Sequence, residues 1–231
     1  MISVSVAFLA LAFSYAANPP NQPTAGKFPA RMPLSNLAPA RVRDNLCLLE
    51  YPITTRSPIA QALFNQGLGY LYNYVWMEAA RCFETATLHD PNCAIAYWGL
   101  SRALEKWSRR DASSKALIKA DQLKEHASWR EQQLILARMQ ETGNAPNVGD
   151  QEARRKKAIE TIDTLLAVHD DDEEAWYYRA HLAGGRGFGG TVGAVPFYKA
   201  LLKVNPLHPG ANHELVHFYE NCRRPALGWI Y

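Results

Sequence analysis

Residues 63–100 read LFNQGLGYLYNYVWMEAARCFETATLHDPNCAIAYWGL. Apolar and small side chains recur in this stretch three and four positions apart, the period of one face of an α-helix, and no run alternates with period two. The same pattern starts at Ser57 and continues to the C-terminus, so the fold class expected is all-α. A chain of 231 residues with 48% hydrophobic and 20% charged residues can bury a substantial core, which excludes a disordered polymer. Its net charge of +3 is small and spread out. The one basic cluster, Arg154, Arg155, Lys156 and Lys157, reads as the solvated first turns of a helix, so no nucleic-acid partner is expected.

Within residues 63–100, Gly67, Tyr70, Ala79, Phe83, Ala86 and Pro91 stand at the relative spacings of the tetratricopeptide repeat (TPR) signature, and here the chain resembles that family. The resemblance implies that Gly67 and Ala79 let the two helices of a hairpin approach closely, that Phe83 and Ala86 face the packed seam, and that Pro91 stops the second helix. Gln66 stands where the family has leucine and is expected to weaken one packing position. Steps of about 34 residues carry the pattern on. Tyr97 and Leu100 open a second unit, whose partner helix is expected from Asp111 to His126. A third opens near Ser128 and takes a longer loop, GNAPNVGDQ, before the helix ARRKKAIETIDTLLAVH. Trp176 and Ala180 lead the fourth, with Ala194, Tyr198, Leu201 and Pro206 marking its second helix, and Ala211–Asn221 begins a fifth. The expectation is a right-handed helical solenoid of about four and a half TPR-like hairpins over residues 57–231.

Ahead of this domain, residues 2–16 form an apolar run that ends in Ser14-Tyr15-Ala16, a small-x-small cleavage pattern, although the usual basic n-region is absent. Residues 1–16 are read as a signal peptide of an exported, periplasmic or extracellular protein. The run is short of the roughly 20 apolar residues of a membrane span, so no stable span is expected after cleavage. Residues 17–56 are read as a linker and N-terminal extension, the Pro-, Asn- and Gly-rich part being Asn18–Pro33. Cys47, Cys82, Cys93 and Cys222 have no C-x-x-C spacing. A Cys47–Cys93 disulfide and buried free thiols are both open.

Three motifs invite functional readings. Asp170–Glu174 falls at a helix start, where acidic side chains favour the positive dipole end, and reads as a cap rather than a calcium loop. Gly185, Gly187 and Gly190 satisfy G-x-G-x-x-G, but a helix precedes them where a dinucleotide fold needs a strand, so the segment reads as a loop. His213-Glu-Leu-Val-His217 matches H-E-x-x-H. With Glu220, the two histidines lie within about 60° of one another on a helix.

In TPR folds the first helix of each hairpin lines a concave groove. The resemblance therefore places Trp98, Arg102, Glu105, Tyr177, His181, His213, His217 and Glu220 on the wall that would take a protein or peptide ligand. A metalloprotease needs three protein ligands to zinc and Glu214 as general base. The metzincin third ligand would fall at Arg223, and the chain ends too soon for a downstream glutamate. The segments TLHDPNCAIAYWGLSRAL and NPLHPGANHELVHFYE also resemble exported bacterial TPR proteins that carry HPGAxHxxxH. That likeness implies an aromatic residue where Glu214 stands, making HELVH an accident of substitution, and makes His208, His213 and His217 the shared feature. A structural role is the alternative for them: His208 bonding a turn carbonyl and the helical pair bonding neighbours across the groove. The relatives imply a longer chain, with residues 223–231 starting another helix. The expected function is non-catalytic binding without a cofactor. The alternative is a zinc site on His208, His213, His217 and Glu220, His181 being a further candidate ligand, with Glu214 catalytic.

Overall fold

Helix starts follow short-range chemistry. The Ser57 hydroxyl accepts the Ala60 N–H with Pro58 in the first turn, Ser128 and Glu131 form a reciprocal capping box, and Asp150 and Asp172 accept the N–H groups of Ala153 and Ala175. Asp172 thus makes the acidic run a cap, as expected. The computed structural model describes residues 28–44, 46, 49–146, 149–184 and 191–231. Among them the chain is all-α: α1 (Pro58–Tyr72), α2 (Trp76–His89), α3 (Ala94–Lys106), α4 (Arg110–Gln122), α5 (Trp129–Thr142), α6 (Gln151–Val168), α7 (Glu173–Ala183), α8 (Val195–Val204) and α9 (Pro209–Asn221), with 3-10 turns at Lys124–His126 and Pro225–Gly228. The signal segment, Cys47 and the glycines at 185, 187 and 190 lie outside the described residues. No described helix is long and apolar enough to cross a membrane.

A common device ends α1, α3 and α9. Tyr74, Ser108 and Arg223 take the left-handed conformation, with φ of 61°, 61° and 56°. The next N–H in each case reaches back into the last turn, from Val75 to Tyr70, Arg109 to Leu104 and Arg224 to Tyr219. Tyr74 and Ser108 stand 34 residues apart, one repeat length. Phe83 of α2 is clamped between two glycines. A Cβ on Gly67 of α1 would lie 2.7 Å from its ring, and one on Gly99 of α3 would lie 2.8 Å away. The glycines thus set how closely three successive helices approach.

Each helix packs on the next, and the odd-numbered helices also meet one another: α1 touches α3, α3 touches α5, and α9 returns to α1. Gly210 makes the last approach possible, since a Cβ there would come within 2.7 Å of the Tyr72 and Tyr177 rings. The last described α-helix, α9, therefore lies beside the first.

The segment read as a linker is docked over much of its described length. Its backbone N–H groups are taken by helix side chains: Leu34 and Ser35 by Glu84 at 2.7 and 2.8 Å, Ala40 by Thr85, Arg43 by Gln66, Ile53 by Gln61, and Thr54 by Glu131. Met32, Leu49 and Tyr51 are buried. The turn at Met32–Leu37 bonds partly to itself, and the N–H groups just named are satisfied by polar side chains on the helices. Gln66 is one of them, with its amide also donating to the Arg41 carbonyl. The departure from leucine is a docking group rather than a weakened packing site.

Cys82, Cys93 and Cys222 are free, and burial pushes the Cys82 and Cys93 thiols up to about 12. Beyond α9, the 3-10 turn at Pro225–Gly228 replaces the expected helix start. Leu227, Trp229 and Ile230 around it are exposed.

Candidate functional site

Helix packing brings side chains from α3, α5, α7 and α9 to one cleft. Arg102, Glu105, Lys106, Arg138, Tyr177, Tyr178, His181 and Glu214 line it, with Tyr74 and Trp76 from the α1–α2 turn and Tyr198 from α8. Its inner part measures about 60 Å³, where a single water needs about 10–15 Å³. It adjoins a mouth of about 620 Å³ shared by Glu105, Lys106, Glu141, Arg154, Arg155 and His181. The inner end suits a side chain or chain terminus, and only the mouth has room for more. Arg155 also caps α7, donating to the Leu182 and Ala183 carbonyls.

Two ionic clusters line the cleft, the first buried and the second partly exposed. In the first, Arg102 Nη1 lies 2.6 Å from Glu174 Oε2, and its guanidinium sits 4.4 Å from the Trp98 ring centroid. Burial raises the Glu174 carboxyl to about 8 and lowers Arg102 to about 10. Against both shifts stands their contact, which favours charge on each partner. In the second, Arg138 bonds the Ser101 hydroxyl and carbonyl and pairs with Glu105 at 3.0 Å. Glu141 accepts from the Tyr178 hydroxyl and lies 3.0 Å from His181 Nε2. Burial alone would raise Glu141, but His181 above all, then Arg138 and the Tyr178 hydroxyl, hold it at about 2.

Four of the expected groove residues, Arg102, Glu105, Tyr177 and His181, therefore meet in one place. Trp98 does not join them on an accessible wall. It is fully buried and donates from Nε1 to the Leu134 carbonyl at 3.0 Å. His213, His217 and Glu220 stand apart from the cleft lining, on the other side of Tyr74.

Glu214 separates the two groups. Its Oε1 accepts from the Tyr74 hydroxyl at 3.0 Å and the Tyr177 hydroxyl at 3.2 Å. It is buried and turned inward, so it occupies a built position. The two phenol donors come from distant parts of the chain. His213 Nδ1 lies 2.6 Å from the Tyr72 carbonyl, across the α1–α9 contact. His217 Nε2 lies 2.9 Å from His213 Nε2, and His217 Nδ1 lies 2.9 Å from Glu220 Oε2. The Tyr74 ring backs both imidazoles, with centroids 4.5 Å from His213 and 5.7 Å from His217. Burial, and then His217, lowers the His213 pKa.

His208 takes neither expected role. It is wholly buried between the Tyr72 and Tyr177 rings, and its Nδ1 accepts the Ala211 N–H that opens α9. It is a cap acceptor rather than a donor to a turn carbonyl. Its Nε2 has no hydrogen-bond partner among the described residues, Glu173 Oε2 being 3.9 Å away. His181 is engaged with Glu141, and Glu220 with the Nδ1 of His217. No group of three or more His, Cys, Asp or Glu among the described residues is arranged around a common metal position. Of the other proposed ligands, His208 and His181 make their contacts elsewhere, and Glu220 meets the pair only at the Nδ1 of His217.

The environment of His208 implies acid lability. Burial lowers its pKa from 6.5 to about 4. The unfolded chain therefore takes up a proton that the folded chain refuses, and stability falls as pH drops from about 6.5, levelling off below about 4. The expected loss is roughly 3 kcal/mol, with His213 adding in the same direction. His208→Asn keeps a cap acceptor and should flatten the fall in melting temperature between pH 6.5 and 4. An unchanged slope would remove His208 as its cause.

Tyr74, Lys106, Arg138, Glu141, Tyr178 and Glu174 were not singled out from sequence. Only Glu174 carried a signal, as part of the acidic run, and the others depend on which helices meet. Comparison of the chain with protein-family models and with curated proteins gave no match.

Proposed function

We propose that the chain is a TPR-like binding module, a right-handed solenoid of about four and a half hairpins, which holds a protein or peptide segment in the cleft without catalysing a reaction. The observation that carries this reading is the convergence of Arg102, Glu105, Tyr177 and His181, from two helices far apart in sequence, on one enclosed cleft with a polar mouth. The recurring left-handed helix ends and the Gly67–Phe83–Gly99 clamp support the repeat assignment. Enclosure refines the mode of binding. A short inner pocket with a wide mouth accommodates a protruding end or loop of a partner better than a long extended strand along an open face. Aromatic rings and guanidinium groups are the side chains that most often anchor such contacts. Export to a periplasmic or extracellular space, and kinship with bacterial TPR proteins carrying HPGAxHxxxH, belong to the same proposal and rest on the sequence.

The test is peptide selection from a display library on the purified full chain, followed by calorimetry with the enriched peptide. Lys106→Glu and His181→Ala change the mouth, and each should weaken binding about tenfold, or about 1.4 kcal/mol; the melting temperature should stay unchanged in Lys106→Glu, at an exposed position, and fall in His181→Ala, which removes the partner of Glu141. Enrichment no better than on an unrelated helical protein, or affinity indifferent to both changes, would reject the cleft as the binding site.

A further inference from the structure

The His213–His217 pair has a proton inventory that calls for a cation. A carbonyl oxygen only accepts, so His213 Nδ1 must donate its hydrogen to Tyr72 O at 2.6 Å. The Glu220 carboxylate oxygen likewise accepts a hydrogen from His217 Nδ1 at 2.9 Å. With both Nδ1 atoms protonated, neutral rings turn two Nε2 lone pairs toward each other across 2.9 Å. Such lone pairs repel unless a positive centre lies between them. Two centres fit: a shared proton or a metal ion.

We propose that the Nε2 atoms of His213 and His217 form a site for a divalent transition metal of the imidazole-preferring class, such as zinc, with the remaining coordination positions taken by water or by a donor from a partner. Three features of the geometry support it. The i, i+4 spacing on α9 points both Nε2 atoms at one place. Zinc–imidazole bonds of about 2.0–2.1 Å at a tetrahedral angle put the two nitrogens about 3.4 Å apart, so the observed separation needs to open by only about half an ångström. Each ring also has the outer partner that metal-binding histidines use, a backbone carbonyl for one and a carboxylate for the other, which fixes the tautomer and raises the basicity of the ligand nitrogen. Tyr74 closes one flank, while both rings are partly accessible on another. Glu214 has no part in this site, because its carboxylate is held inward by two tyrosines. Glu220 acts behind His217 rather than as a ligand. The site therefore differs from the zinc-protease arrangement that the same five letters suggest, and it does not depend on the peptide-binding reading.

The experiment is calorimetric titration of the full chain, prepared without a histidine tag and stripped with a chelator, using Zn²⁺ alone. One ion per chain is expected for the wild type. His217→Ala should abolish binding, and Glu220→Gln, at an exposed position, should weaken it 10–100-fold. Glu214→Gln should leave it unchanged. Melting curves followed by circular dichroism check that each variant folds. No saturable binding by the wild type, or binding retained in His217→Ala, would overturn the proposal and leave a shared proton between the rings. Loss of zinc in Glu214→Gln as complete as in His217→Ala would also overturn it, by making Glu214 a ligand.

Discussion

Trp98→Ala is expected to cost about 3–5 kcal/mol of stability, against the roughly 5–15 kcal/mol that a domain of ordinary stability has. The side chain is wholly buried in α3. It donates to the Leu134 carbonyl on α5, meets the Tyr178 ring edge-on from α7, and carries the Arg102 guanidinium on its face. Truncation opens a cavity at a point where three helices meet, and their backbones can close it only in part. Urea unfolding followed by circular dichroism should show a lower midpoint with an unchanged slope. A loss below about 1 kcal/mol would place Trp98 on an accessible wall instead. Because the variant acts on folding, it is a poor probe of ligand binding, and the exposed mouth residue Lys106 serves that purpose better.

Arg102→Met should be nearly as damaging, at about 3–5 kcal/mol. It leaves the Glu174 carboxyl, 1% exposed, without the guanidinium 2.6 Å away. Burial drives that carboxyl toward its protonated form, and with the opposing guanidinium removed it is expected to hold a proton at neutral pH in the variant. Exchanging both partners tests this account. Arg102→Met/Glu174→Leu removes the two buried charges together and should recover most of the lost stability, since a buried pair is often replaced by apolar groups at little or no cost. A double variant as unstable as the single one would mean that the guanidinium acts through its packing on Trp98 rather than through the ion pair. The losses at Trp98 and Arg102 should not add, because the two side chains touch.

The helices were legible because their causes are local. Ser128 with Glu131, Asp172 before α7 and Pro209 at the start of α9 act within one turn, and apolar spacing repeats every few residues. Gln66 was misjudged because its partner, the docked segment around Arg41–Arg43, follows no helical period. Arg102, Glu105, Tyr177 and His181 could be assigned to one surface from register alone, since register determines which way a side chain leaves its helix. Trp98 leaves in a similar direction yet ends in the core, because depth depends on which helix lies opposite. His208 was expected to donate and instead accepts. A ring nitrogen can do either, and only the adjacent Ala211 N–H together with the enclosing Tyr72 and Tyr177 rings settles the choice.

By itself, then, the sequence determined the all-α class, several helix starts, the close approach at Gly67 and the shared face of His213, His217 and Glu220. These depend on contacts within a turn or between adjacent helices, where spacing in sequence is nearly spacing in space. The tertiary structure alone decided that α9 comes back to α1. That return holds His213 against the Tyr72 carbonyl, places Glu214 between two tyrosines and turns a row of helix faces into an enclosed cleft. It rests on how each helix packs on the next along the described chain and on the close approach that Gly210 permits, and no short stretch of sequence records that combination.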